Sequence, residues 1–189
     1  MTTTALKEWS AAVHALLDGR QTVLLRKGGI HEKRFSLDPG LSDFLMFPTV
    51  AHSHTERLRP EHHDLVGAAA DSTEDAVVLR AGAKVIAAVE VTRPEAMAEI
   101  SDLHIWTEDS VRADRLDFRP RHRLTVLVVQ ARPLTESVRL PRSPDYAGCS
   151  SWVQLPIPET SYAAPVHDID TLTAVAQRVR ESVGPGHAK

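Results

Sequence analysis

An α+β fold, with a mostly antiparallel sheet flanked by an N-terminal and a C-terminal helix, is the architecture the sequence predicts. Apolar positions alternate between helical spacing and short extended runs, in irregular order. The link between the runs at 22–26 and 44–47 is too short for a crossover helix, which disfavours a doubly wound parallel sheet. The run at 123–130 is the longest apolar stretch and suits a central strand. A barrel-like closure of the sheet is the alternative.

The elements follow in order. Leu6, Trp9, Val13, Leu16 and Leu17 recur at helical spacing before Gly19, which predicts a helix over about 4–18. Thr22–Arg26 reads as a short strand closed by Gly28 and Gly29. Phe44–Phe47 reads as another, stopped by Pro48. Residues 51–60 are polar and His-rich, hence a loop. Pro60 suits the first turn of a helix carrying Leu65, Val66 and Ala69. Ser72 with Asp75 has the form of a capping box and predicts a short helix to Arg80. Lys84–Val91 is the next strand, and Pro94 opens a helix to about Ile100. Leu103–Trp106 is extended, and Thr107 caps a helix through Leu116. After the central strand, residues 133–165 are rich in Pro, Ser and Gly and read as an irregular arm around Ser151–Leu155. Ile169, Leu172, Val175, Ala176 and Val179 mark an amphipathic helix ended by Gly184 and Pro185.

The length of 189 residues fits one domain over 1–189, with a core over about 4–155 and a C-terminal helix over about 168–183. A hydrophobic fraction of 42% supplies a core and excludes global disorder. The single Cys149 excludes a disulfide framework and a Cys-rich zinc module. No apolar run is long enough to cross a membrane, and no basic region precedes an apolar stretch at the N-terminus. A cytoplasmic protein is therefore expected. The net charge of −3 excludes a globally basic nucleic-acid binder. It conceals a segregation, however: residues 1–60 carry net +2, residues 61–110 net −8 and residues 111–189 net +3. Arg112, Arg115, Arg119, Arg121 and Arg123 crowd together, so a locally basic face remains open.

Several constellations could carry chemistry. In Arg26-Lys27-Gly28-Gly29, two glycines allow backbone N–H groups to approach an anion, Arg26 can fork to a phosphate and Lys27 adds a point charge. Glu32 beyond that turn could accept a proton or orient Arg26. A hairpin turn with surface charges is the plainer alternative. His52, His54, His62 and His63 cluster with Glu56, Glu61 and Asp64 but match no zinc spacing, so no metal site is assigned and no cofactor is expected. His104 and Trp106 share one face of an extended segment, where Trp106 could stack on a base and His104 could bond to it; a core Trp beside a satisfied His is the alternative. Cys149, in Gly148-Cys-Ser-Ser-Trp152, has no base at fixed spacing and reads as packing rather than as a nucleophile. Glycine-rich phosphate-binding motifs are absent. So is the strand-borne Glu-x-Lys of restriction-type nucleases.

Five strings occur together in order: Ala5-Leu-Lys-Glu-Trp9, Leu24-Leu-Arg-Lys-Gly-Gly-Ile30 with Glu32, Phe44-Leu-Met-Phe-Pro-Thr49 with His52, His104-Ile-Trp106, and Gly148-Cys-Ser-Ser-Trp152. As a set they resemble the bacterial domain of unknown function family 1802, over about residues 4–155. The family has no established activity. The association of some members with restriction-endonuclease-type domains implies a restriction or defence setting and a nuclease partner. More locally, Ala15–Arg26 resembles the opening of ASCH domains in the PUA-like superfamily, with Gln21 where Lys is usual and Leu25 where Glu precedes the Arg. That likeness implies a small β-barrel that binds RNA or modified bases.

The favoured function is a nucleic-acid-recognition module, with DNA preferred and a modified or flipped base as one form of target. Arg26, Lys27, Gly28, Gly29 and the arginines from Arg112 to Arg123 would contact phosphate, and Trp106 or Trp152 would stack. One alternative is an enzyme acting on nucleic acid, a phosphodiesterase or base-excising hydrolase, with Glu32, His52 and His104 as acid–base residues. Another is a protein-interaction subunit that docks through the acidic 61–110 block.

Overall fold

A computed structural model describes residues 2–27, 42–50 and 53–185. Glu32, His52, Gly28 and Gly29 lie outside the described residues. The chain forms strand β1 (Thr3–Trp9), helix α1 (Ser10–Leu17), β2 (Val23–Lys27), β3 (Asp43–Thr49), a short α2 (His54–Arg57) and β4 (Ala76–Glu90). Then follow α3 (Glu108–Val111), β5 (Leu124–Pro141), β6 (Trp152–Leu155) and α4 (Ile169–Val183). Two 3₁₀ segments, Pro60–Asp71 and Pro94–Leu103, start at the two prolines, as the proline signals predict.

The fold is α+β. Six strands form one sheet in the order β2-β5-β4-β3-β1-β6, and every pair is antiparallel except β1 with β3. The sheet stays open, with β2 and β6 at its edges. It nevertheless curls, because the Arg26 guanidinium on edge strand β2 reaches the Lys7 carbonyl on β1 at 3.1 Å. The long β4–β5 ribbon bends where its register shifts between Leu79 and Ala81 and again between Val85 and Ala87. As a result β4 feeds three apolar clusters: Val77 and Leu79 in one, Ala81 and Ala83 in the second, Ala87 and Val89 in the third. Alternation on β5 puts Val126 and Val128 on one face and Leu127 and Val129 on the other, so both faces are covered.

Three local expectations are corrected. The 4–18 segment is not one helix, because Leu6 and Ala5 lie on a strand held between β3 and β6 and buried on both faces. Its helical half, α1, is buried nearly all round; alanines at 11, 12 and 15 allow the close packing, and Gly19 ends it at φ +85. The capping-box pattern at Ser72 opens no helix. Ala76 and Val77 instead pair with Pro141 and Leu140, so sheet pairing overrides the local signal. The expected arm at 133–165 begins as the continuation of β5 to Pro141 and includes β6. Smaller differences are that β3 runs through Pro48 to Thr49, and that α2 occupies part of the expected loop. The C-terminal helix forms as expected: Asp168 accepts from the Thr171 N–H at 2.7 Å, and Leu172, Ala176, Val179 and Val183 face inward against the sheet.

Candidate nucleic-acid interface

The arginine-rich stretch starts at α3. Thr107 caps this short helix by accepting from the Ser110 N–H, as its sequence predicts. The chain then widens into a π-helical turn, Arg112–Asp117. Lys27, at the end of β2, donates its ammonium protons to the carbonyls of Leu116 and Phe118 and so ties this turn to the sheet. Burial pulls the Lys27 pKa down; Asp117 opposes this and Arg115 adds to it. Past the turn, Phe118 is 53% exposed, and the Arg119 guanidinium lies over its ring at 4.8 Å. Arg119 adopts φ +50, a left-handed backbone that lets the chain reverse into β5.

Between this turn, the start of β5 and Pro94 lies a groove of about 630 Å3. Lys27, Arg112, Arg115, His122 and Arg123 line it, against Glu95 and Asp117. Arg123 pairs with Glu90 at 2.5 Å, and Arg112 approaches Glu108 at 3.8 Å with both side chains exposed. Arg115, Arg119 and Arg121 form no ion pair among the described residues. The groove lining therefore holds four cations on three chain segments against two carboxylates, with Arg112 and Arg123 also facing Glu108 and Glu90 outside the lining.

The other candidates sit elsewhere. Arg26 is mostly buried; it donates to Lys7 O and, at 3.4 Å, to the buried Glu8 carboxylate. Burial lowers its pKa and Glu8 opposes that shift. It does not line the groove. Trp106 is 6% exposed and meets Trp9 edge to face at 4.9 Å. Trp152 packs on Phe44 at 5.2 Å, on the opposite face of the sheet from Trp106. His104 is 3% exposed, and its Nδ1 accepts from the Trp106 N–H at 3.2 Å. Burial and the nearby Arg59 push its pKa down to about 4, so the ring is neutral at pH 7.

His54 is buried against Trp9, with neither ring nitrogen hydrogen-bonded among the described residues, and burial lowers its pKa. His62 and His63 engage Arg59 and the Leu58 carbonyl, and no metal-binding group of side chains occurs among the described residues. Cys149 is exposed. Part of the acidic 61–110 block is paired in space: Asp64 with Arg20, Asp71 with Arg80, Glu90 with Arg123 and Asp102 with Arg178, while Glu74, Asp75, Glu95, Glu99 and Asp109 form no ion pair among the described residues. Phe118 is the residue that sequence reasoning missed. The available signal was an aromatic set inside the arginine run.

The fold defines an α+β domain with an open, curled sheet and a basic groove at one end. The chain belongs to the domain of unknown function family DUF1802, whose family model matches residues 5–178. It is similar to the crystal structure of ASCH from Zymomonas mobilis, at 16% identity and TM-score 0.47, over 80% of this chain and 86% of that one. A mutant of the same Zymomonas protein is similar at 15% identity and TM-score 0.45, over 92% and 96% of the two chains. No curated protein matches. Among the described residues, no helix is long and apolar enough to cross a membrane.

Proposed function

We propose that this protein is a nucleic-acid-binding module whose groove beside the π-helical turn holds a phosphate backbone. The observation that carries the reading is the convergence of Lys27, Arg112, Arg115 and Arg123, from three chain segments, on one groove of about 630 Å3. Arginines fork to phosphate oxygens, and a groove concentrates their field. The exposed Phe118 ring beside them offers a stacking platform for a base. Trp152 contributes through packing against Phe44. In its finer form the proposal is DNA, in the restriction setting with a nuclease partner that the family resemblance implies.

Fluorescence anisotropy against duplex DNA, single-stranded DNA and RNA, from low to high salt, tests it. Each neutralised phosphate contributes a slope of about −0.9 on duplex or −0.7 on single strands, so four engaged cations predict a total of about −3.6 or −2.8. Arg115→Ala should weaken binding on all sequences and flatten the slope by about 1. It should leave the melting temperature nearly unchanged, because Arg115 forms no ion pair among the described residues. Absence of binding to all three ligands at low salt refutes the proposal. Preference among them decides the finer form.

A further inference from the structure

Beside the basic groove is a second cavity of about 210 Å3. Pro94, Arg112 and Leu116 line both, so the two spaces adjoin. Their chemistry differs. The walls of the second are mainly apolar, with Met97, Val111, Leu116 and the Trp106 ring among them, and His104 is in its lining. Its volume is below the ~300–1,000 Å3 of drug-sized sites, which suits a single ring system.

The hydrogen-bonding state of His104 defines what that ring must offer. Nδ1 accepts from the Trp106 N–H, so in the neutral imidazole Nε2 carries the hydrogen. Among the described residues Nε2 makes no hydrogen bond, and it is not one of the fully buried side-chain atoms that lack one, so its N–H is accessible at the cavity that His104 lines. A ligand in the cavity that offers an acceptor can take that N–H. Arg59, also in the lining, already donates to the carbonyls of Ser101, His104 and Trp106, and so braces the wall. The cavity therefore presents mainly apolar walls and the neutral His104 N–H, with Arg59, Ser101, Glu108 and Arg112 as its other polar members, and it adjoins the basic groove. Mainly apolar walls with a neutral donor fit a planar heterocycle with an acceptor on its edge.

We infer that this cavity receives one unpaired nucleobase of a strand lying in the groove, with Trp106, Met97 and Leu116 against it and His104 Nε2–H donating to a ring nitrogen or carbonyl oxygen. The inference rests on the groove reading and names what that site recognises beyond phosphate. A pocket of this kind selects single-stranded or locally opened nucleic acid, because a base inside a duplex cannot enter it without leaving its stack.

The experiment compares an eight-residue single strand with the same sugar–phosphate backbone lacking every base, against three proteins. Ala98 is an exposed residue on the lining, so Ala98→Trp obstructs the cavity without touching the core. His104→Asn keeps an acceptor for the Trp106 N–H, and its shorter side chain places no donor at the position of Nε2. Wild type should bind the base-bearing strand at least tenfold more tightly than the base-free backbone. Ala98→Trp and His104→Asn should lose most of that preference while binding the base-free backbone as wild type does, with an unchanged salt slope.

If Ala98→Trp, folded by its melting curve, retains the full wild-type preference, the inference is overturned. Free nucleosides at millimolar concentration, followed by the Trp106 indole resonance, separate this inference from the groove reading. If no strand binds but nucleosides shift that resonance in wild type and not in Ala98→Trp, the groove reading fails and the pocket stands. If neither strands nor nucleosides have any effect, both fail.

Discussion

Asp71 is the junction of three elements, and removing its carboxylate should cost more stability than any exposed charge in the protein. It is 5% exposed and accepts from His14 Nε2 on α1 at 2.6 Å and from Arg80 Nε and Nη2 on β4 at 2.7 and 2.8 Å. Burial alone would raise its pKa, but the hydrogen bonds from Arg80 and His14 together hold it below the ordinary carboxylate value. Breaking a fully buried pair costs ~3–5 kcal/mol. Here the side chains of His14 and Arg80 are 32% and 42% exposed and can return to water, which reduces the expected cost of Asp71→Ala to ~2–3 kcal/mol. In a chain of this length that is a drop of about 5–10 °C in melting temperature. Urea denaturation at pH 7 measures the free energy directly.

The pH dependence gives a second check. A carboxylate with a lowered folded pKa contributes stability that is fully present above its unfolded value, near 3.8, and lost as pH falls through the folded value. The gap between wild type and Asp71→Ala should therefore be constant above about pH 5 and close in acid. His104 lowers the stability of both proteins alike between its ordinary value of 6.5 and about 4, because there the unfolded state binds the proton that the folded one refuses. It cancels in the difference. A variant within ~0.5 kcal/mol of wild type at pH 7, or a gap that widens in acid, refutes the reasoning.

Two further substitutions probe the scaffold. A Cβ on Gly82 would meet the Tyr162 ring at 2.5–2.9 Å, so Gly82→Ala should cost ~1–3 kcal/mol by urea denaturation. The penalty should vanish in a Tyr162→Ala background, and an equal penalty there disproves the clash. Asp168→Ala removes the cap of α4 and should cost ~1 kcal/mol, whereas Asp168→Asn should be nearly neutral. Thermal melts by circular dichroism distinguish the two.

What could be read from the sequence divides by the range of the interaction responsible. α4 and the start of β5 were visible because their patterns are local: a helical stripe with a capping Asp168, and a run from Leu124 to Gln130 with no polar face. β1 was hidden because Leu6, Trp9 and Val13 mimic helical spacing across what is a strand-to-helix junction. The start of β4 was hidden because Ser72 and Asp75 form a local capping pattern that pairing with residues near 141 overrides. The arginine run was legible as charge, but not its enclosure. The groove needs Lys27 to hold the turn from 90 positions away in sequence, and the apolar cavity needs Pro94–Leu103 folded against α3. No spacing rule encodes either juxtaposition.

The placement of β1 sets a timetable. Its neighbours are β3 and β6, and Thr3 Oγ1 donates to the Ile157 carbonyl across 154 positions. At ~5–20 residues per second, a ribosome takes about ten to thirty seconds to make the residues between them. For that interval β1 has the flank that β6 will cover open, with Ala5 and Leu6 unshielded there and its backbone groups available to any other strand nearby. Thr3, Thr4 and Lys7 are the polar members of that strand and make it a poorer template for mispairing. The sheet can be finished only when residues 152–155 arrive, so a chain cut before them keeps its groove-forming turn but leaves this edge bare.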